Sequence, residues 1–214
     1  MMRIFIGYDP RQPIAAQVLM HSIYTRASQP VSITPLVLSQ MPIARMGLTE
    51  FTYSRYCVPF LCGYEGYALF MDADMLVLDD ICKLDEIARS KLSGVCVVKN
   101  PQRRFEWPSL MYFNNAYCKG LTPTLISTGN PQKMDWTKYI GELAPEWNHL
   151  VGYDAPRTDA KVVHFTQGIP CFPETKDCEY SKEWMDEAKR AMSSVSWEDI
   201  MGKSVHREAV LKTA

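Results

Sequence analysis

Residues 67–71 read YALFM, five apolar side chains in a row, closed by the acidic stretch Asp72-Ala73-Asp74. A strand with one wet face alternates polar and apolar residues, so an unbroken run implies burial on both faces. That requires packed layers above and below, and the neighbouring segments supply them. Residues 3–8 (RIFIGY) read as a strand ending at Asp9-Pro10. Pro13–Arg26 carries Ile14, Val18 and Ile23 at helical spacing, with Pro13 in the first turn, where its missing N–H costs nothing. Residues 31–38 read as a second strand, placed by Pro35 at an edge or a bend. Residues 49–61 read as a helix, and residues 94–98, 110–114 and 161–165 as strands. This order predicts an α/β, Rossmann-like single domain with a mostly parallel, doubly wound central sheet. After Pro173 the composition turns charged, and residues 181–192 read as a solvated helix. The predicted division is a sheet domain over residues 1–178 and a helical C-terminal tail over 179–214, removable without loss of the site.

Ligands of open α/β sheets bind outside the carboxyl ends of the strands. Asp72 and Asp74 are therefore predicted at the mouth of the sheet, with Ala73 small enough to let a ligand approach. Two carboxylates so close raise each other's pKa unless a cation stands between them, so the pair reads as a metal site. Asp at a strand end also caps helices and starts Asx-turns, and on these residues alone both readings stand. Asp79-Asp80 reads as the cap of the following helix. His164, near the end of the last strand, is either a third ligand or a packed core histidine.

Bulk properties narrow the classes. The formal net charge is -1, which gives no field for nucleic acid or an anionic membrane. No apolar run reaches the roughly 20 residues that a bilayer-spanning helix needs. Seven cysteines without a paired CxxC, and an N-terminus running straight into a strand, predict reduced thiols and a cytoplasmic protein.

YALFMDADMLVLDDI resembles the Asp-X-Asp segment of GT-A fold glycosyltransferases, most closely glycosyltransferase family 8 and related bacterial and phage proteins. TEFTYSRYCVPFL resembles the helix before that segment, WPSLMYFNN the strand carrying acceptor-side residues, and IGELAPEWNHLVGY the segment leading to the closing strand. HFTQGIPCF is similar to the family's His-containing closing motif, and the likeness runs in order from Arg3 to about Phe172. It implies a metal-dependent glycosyltransferase that moves a sugar from a nucleotide-sugar donor, a UDP-sugar, to a glycan, protein or small-molecule acceptor with retention of configuration. Asp72, Asp74 and His164 would hold Mn2+, or Mg2+. Tyr8 would stack on the base and Asp9 accept a hydrogen bond from it, while Arg55 would hold the diphosphate or the sugar. Ala73 and Gly168, from the two motifs, would line the donor. Asn115, beside Asn114, would meet sugar hydroxyls, and Asp135 would be the catalytic carboxylate.

The chain also departs from the pattern. Ile169-Pro170-Cys171 stands where the family usually continues with a lysine before Pro-Trp, leaving Lys99, Arg103 or Arg104 to supply that charge. Thr137 occupies the register of the family's acidic residue, with Asp135 nearby. Two alternatives follow: a catalytically impaired sugar-nucleotide-binding protein, and a metal-dependent nucleotidyltransferase. The latter would want a glycine-rich basic loop, and GYDPRQP has only Arg11 and one glycine.

Overall fold

The chain opens with β1 (Met2–Gly7), in which Ile4 and Ile6 are fully buried, and turns at Pro10 into α1 (Pro13–Arg26). β2 (Val31–Leu36) returns parallel to β1, in register from Met2↔Val31 to Gly7↔Leu36. It is an edge strand, as Pro35 requires. In this computed structural model the described residues are 1–192 together with 205, 206, 208, 209 and 212.

Residues 49–61 are not one regular helix. They form α2 (Phe51–Ser54), a 3-10 turn over Arg55–Cys57 and α3 (Val58–Leu61). Pro59 brings no N–H to bond back to Arg55, and its ring crowds that carbonyl, so the helix changes pitch there. β3 (Tyr67–Met71) pairs parallel with β1, Ile4↔Leu69 and Ile6↔Met71, and its last four residues are at most 1% exposed. After Asp72-Ala73-Asp74 come β4 (Met75–Val77) and α4 (Cys82–Arg89). The acidic pair serves the start of α4: the Cys82 N–H donates to Asp80 Oδ1 at 2.9 Å, and Lys83 pairs with Asp79 at 2.7 Å.

β5 (Val95–Val98), a 3-10 segment (Arg104–Ser109), β6 (Leu110–Asn114), α5 (Pro123–Thr128) and β7 (Ile140–Leu143) follow. The central sheet runs β2-β1-β3-β6-β5-β7. Every strand shares one direction except β6, which is antiparallel to β3 and β5. The connection over residues 99–109 falls short of the dozen or so residues that a parallel crossover needs, so β6 returns reversed. In register, Met71 faces Leu110 and Tyr67 faces Asn114. The start of β6, not its end, therefore lies beside Asp72.

A second, small sheet has the order β4-β9-β8, with β9 (Val162–His164) between the fully buried β4 and β8 (His149–Leu150). β9 runs antiparallel to β4, Met75↔His164, and parallel to β8, Leu150↔His164. The closing strand thus joins the Asp72–Asp74 turn through β4 rather than by lying beside β3. The helix expected at the end, α6 (Ser181–Met192), packs on α1 and is not solvated all round. Trp184 and Ala188 lie in the core, and the buried Glu187 carboxylate accepts from Arg26 at 2.8 Å and Arg190 at 2.5 Å. The rest of the expected tail lies largely outside the described residues. Among the described residues no helix is long and apolar enough to cross a membrane.

Candidate active site

Two sheets meet at the Asp72–Asp74 turn. The Asp72 N–H donates to the Ser109 carbonyl at 2.9 Å, tying the end of β3 to the start of β6. The Asp74 carbonyl accepts from the Phe165 N–H at 2.9 Å, and the β4–β9 pairing begins at the next residue. His164, ninety residues away in sequence, is thereby held with Nε2 3.3 Å from Asp74 Oδ1. Candidate ligand atoms of Asp72, Asp74 and His164 lie within 4.8 Å of one another.

The electrostatics are those of a crowded acidic site. Burial pushes the Asp72 carboxyl up to about 7, opposed by Arg55 and reinforced by Asp74. Burial pulls His164 down, but Asp74, Asp72 and Glu106 outweigh it and leave the imidazole raised. Asp72 Oδ1, Asp74 Oδ1 and His164 Nδ1 are all buried without a hydrogen-bond partner among the described residues. Polar atoms left so are unfavourable unless something else satisfies them. Two carboxylate oxygens and one imidazole nitrogen suit Mn2+, and Mg2+ less well because of the nitrogen. These residues fit a divalent cation.

Two lobes of a cleft flank the turn. One, of about 290 Å³, is lined by Arg55, Asp72, Glu106, Gln132 and His164, among others. The second, of about 300 Å³, is lined by Asp9, Arg11, Ala73, Gln167, Gly168 and Phe172. Thr49, Phe51, Asp74 and Thr166 line both, so Asp74 stands where they meet. Gly168 has φ +125, a conformation that L residues rarely adopt, and an added Cβ would come 3.1 Å from the Phe172 ring. At the end of β1, a Cβ on Gly7 would lie 2.5 Å from Phe51, so glycine there lets α2 close over the cleft.

The other sequence candidates divide. Tyr8 opens onto a separate hollow of about 800 Å³ at the carboxyl ends of β1 and β2, shared with Leu38, Pro42 and Glu50. The Asp9 carboxylate is taken up by Arg11, whose N–H, Nε and Nη2 donate at 3.0, 2.9 and 2.5 Å. Those bonds hold its pKa below the usual value. Arg55 is a strut: Nε donates to the Phe51 carbonyl at 3.1 Å and Nη1 to that of Pro108 at 2.9 Å, while Nη2 stands 3.1 Å from Asp72 Oδ1.

Asn114 and Asn115 do not reach the cleft. Because β6 is reversed they sit at the far end of the sheet, and Asn115 Nδ2 donates to the Glu65 carbonyl at 3.0 Å. Asp135 is exposed in the turn after Met134 and lines neither lobe. Lys99, Arg103 and Arg104 also stay out of both lobes. Lys99 lines a neighbouring hollow, Arg103 stacks on Tyr153 at 3.6 Å, and Arg104 lies over Trp107 at 5.3 Å. Sequence reasoning passed over Glu106, which enters the first lobe from the 3-10 segment with Oε2 4.0 Å from His164 Nδ1. Burial pushes its carboxyl pKa up. The WPSLMYFNN segment forms the end of the 3-10 segment and β6, and the part beside the cleft is its start, not the Asn pair at its end.

An Asp-X-Asp turn at the mouth of a mostly parallel sheet, closed by a histidine-bearing strand, is the architecture of the GT-A glycosyltransferase fold, and this chain has that fold. The bifunctional glycosyltransferase WbbM superposes with a TM-score of 0.66 at 15% identity, over 92% of this chain and 50% of that one. LgtC, a galactosyltransferase solved with donor and acceptor sugar analogues, superposes at 0.60 and 10% identity, over 92% and 99%. GlyE of Streptococcus pneumoniae TIGR4 gives 0.63 at 15% identity, over 88% and 61%. The chain thus spans half the length of WbbM and about three fifths of GlyE. No family model matches it. It is 34% identical to Protein CDI of Arabidopsis thaliana over 222 aligned positions, covering 86% of this chain and 85% of that protein, and it belongs to the family of that protein.

Proposed function

We propose that this protein is a metal-dependent glycosyltransferase that moves a sugar from a nucleotide-sugar donor, a UDP-sugar, to an acceptor hydroxyl, with retention of configuration as in family 8. The observation that carries the reading is the convergence of Asp72, Asp74 and His164 at the mouth of the sheet, each with a buried polar atom that has no hydrogen bond among the described residues. When bound, Mn2+ or Mg2+ supplies positive charge against the diphosphate leaving group. Asp74, at the junction of the lobes, sets where that diphosphate lies, and Ala73 and Gly168 leave room for it. Tyr8 offers its ring to the base at the edge of the larger hollow, and Asp9 orients the neighbouring Arg11 toward the donor. Arg55 keeps Asp72 in place and favours its charged form instead of holding the diphosphate. Asn115 and Asp135, both outside the cleft, carry no role in this reading. A cytoplasmic location accompanies it, on the strength of the cysteine pattern.

One observation favours a second reading, a sugar-nucleotide binder without transfer. The cations at the cleft, Arg11 and Arg55, are already paired with Asp9 and Asp72, and among the described residues no lysine lines either lobe. The deciding experiment is release of UDP from a panel of UDP-sugars with and without Mn2+. Mn2+-dependent release that disappears in Asp74→Ala supports transfer, and binding without release supports the second reading. Turnover of nucleoside triphosphates in place of UDP-sugars would make the protein a nucleotidyltransferase.

A further inference from the structure

The His164 ring is 2% exposed and has two different ends. Nε2 points at Asp74, 3.3 Å from Oδ1, where the cation of the proposed function would sit. Nδ1 points the other way and is buried with no hydrogen-bond partner. The carboxylate facing it is Glu106, with Oε2 at 4.0 Å, beyond hydrogen-bond range. No hydrogen bond to that carboxylate exists among the described residues, so no existing bond holds it away from the ring. Its backbone, by contrast, is fixed at both ends. The Glu106 N–H donates to the Arg103 carbonyl at 2.9 Å, and its own carbonyl accepts from Ser109 Oγ at 2.6 Å.

A neutral imidazole carries one proton, and only the unprotonated nitrogen can coordinate. Metal-binding histidines usually donate their other N–H to a carboxylate or carbonyl, which fixes the tautomer and the ring orientation. Hydrogen bonds of this kind are often long in a ligand-free site and tighten when it fills. From this geometry we infer that Glu106 is the positioning residue for His164: its carboxylate accepts the Nδ1–H and leaves the Nε2 lone pair facing Asp74. The assignment rests on the metal reading of the cleft. It adds a role for a side chain on the 3-10 segment, one residue before the WPSLMYFNN stretch.

The test uses the full chain and Mn2+ alone, with free Mn2+ counted by electron paramagnetic resonance. Glu106→Leu removes the acceptor and is expected to weaken Mn2+ binding about 10- to 100-fold, the range for loss of a partner behind a ligand. Glu106→Gln keeps a carbonyl oxygen in the same place and is expected to restore most of the affinity. Equal weakening in both variants would make Glu106 a charged ligand of the ion and overturn the assignment, as would Leu binding Mn2+ like wild type. A second arm needs no variant: nitrogen-15 NMR of the His164 ring with diamagnetic Mg2+ in place of Mn2+, at about pH 9, well above the ordinary imidazole pKa of about 6.5. The proton is expected on Nδ1, and a proton on Nε2 overturns the assignment. Absence of Mn2+ binding by the wild-type chain would instead remove the metal reading, and the assignment with it.

Discussion

Arg55 and Asp72 form a buried pair, Nη2 to Oδ1 at 3.1 Å, in which both side chains are about one-tenth exposed and the arginine also grips the backbone on two sides. Removing one partner of such a pair leaves an uncompensated charge. Arg55→Met is expected to destabilise the metal-free protein by about 3 kcal/mol near neutral pH, measured by urea unfolding. The direction with pH follows from Asp72. Its folded value of about 7 lies above the ordinary 3.8, so the protonated form stabilises the fold, and that contribution fades as pH rises from about 4 through about 7. Without Arg55 the folded value rises further and the fade runs on to higher pH, so the loss is larger at about pH 8 than at about pH 5. A loss independent of pH would show that Arg55 acts through its backbone contacts alone.

Glu187 predicts the opposite slope. Burial would push its carboxyl up, but hydrogen bonds from Arg26, His21 and Arg190 bring it down to about 2. An acid whose folded value is depressed stabilises the fold above its unfolded value and loses that contribution as pH falls. Wild-type melting temperature is expected to drop between about pH 4.5 and pH 2, and Glu187→Gln to be less stable at neutrality with a shallower acid limb. An unchanged acid limb in that variant would remove Glu187 as the source.

The same helix makes truncation harmful. Trp184 is fully buried, and Trp→Ala in a core typically loses about 3–5 kcal/mol. A chain ending at Cys178 also loses the Glu187 pairs and the 2.9 Å contact of Glu179 with His149. Its melting temperature is expected to fall by more than that of Trp184→Ala. A truncated chain as stable as the full one would show that the face of α1 under α6 needs no cover.

His164→Ala leaves two carboxylates in place. Weakened but measurable Mn2+ binding is therefore expected, with His164→Asn recovering part of it through a hard oxygen. Calorimetry with Mn2+ reads both, and an unchanged affinity in the alanine variant would remove the imidazole from the site.

Much of this arrangement was legible in the sequence where local chemistry decided it. The unbroken YALFM run announced a strand buried on both faces, and Pro13 marked the helix start. Asp72 and Asp74 at a strand end announced a charge that needed a partner. What was not legible depended on pairing. β4 and β8 are three and two residues long, too short for any period to show, yet β4 is what brings His164 to Asp74. The reversal of β6 is set by the length of its connection, and it moved Asn115 away while bringing Glu106 in. Arg55 was noticed as a cation, but only the fold shows that its donors are already committed.

The most direct test of the metal-dependent donor site is calorimetric titration of UDP into the protein with and without Mn2+, for wild type and Asp74→Ala. UDP is expected to bind wild type only when Mn2+ is present, and to bind Asp74→Ala weakly or not at all while that variant melts like wild type. UDP binding equally well without metal, or equally well in Asp74→Ala, would contradict it.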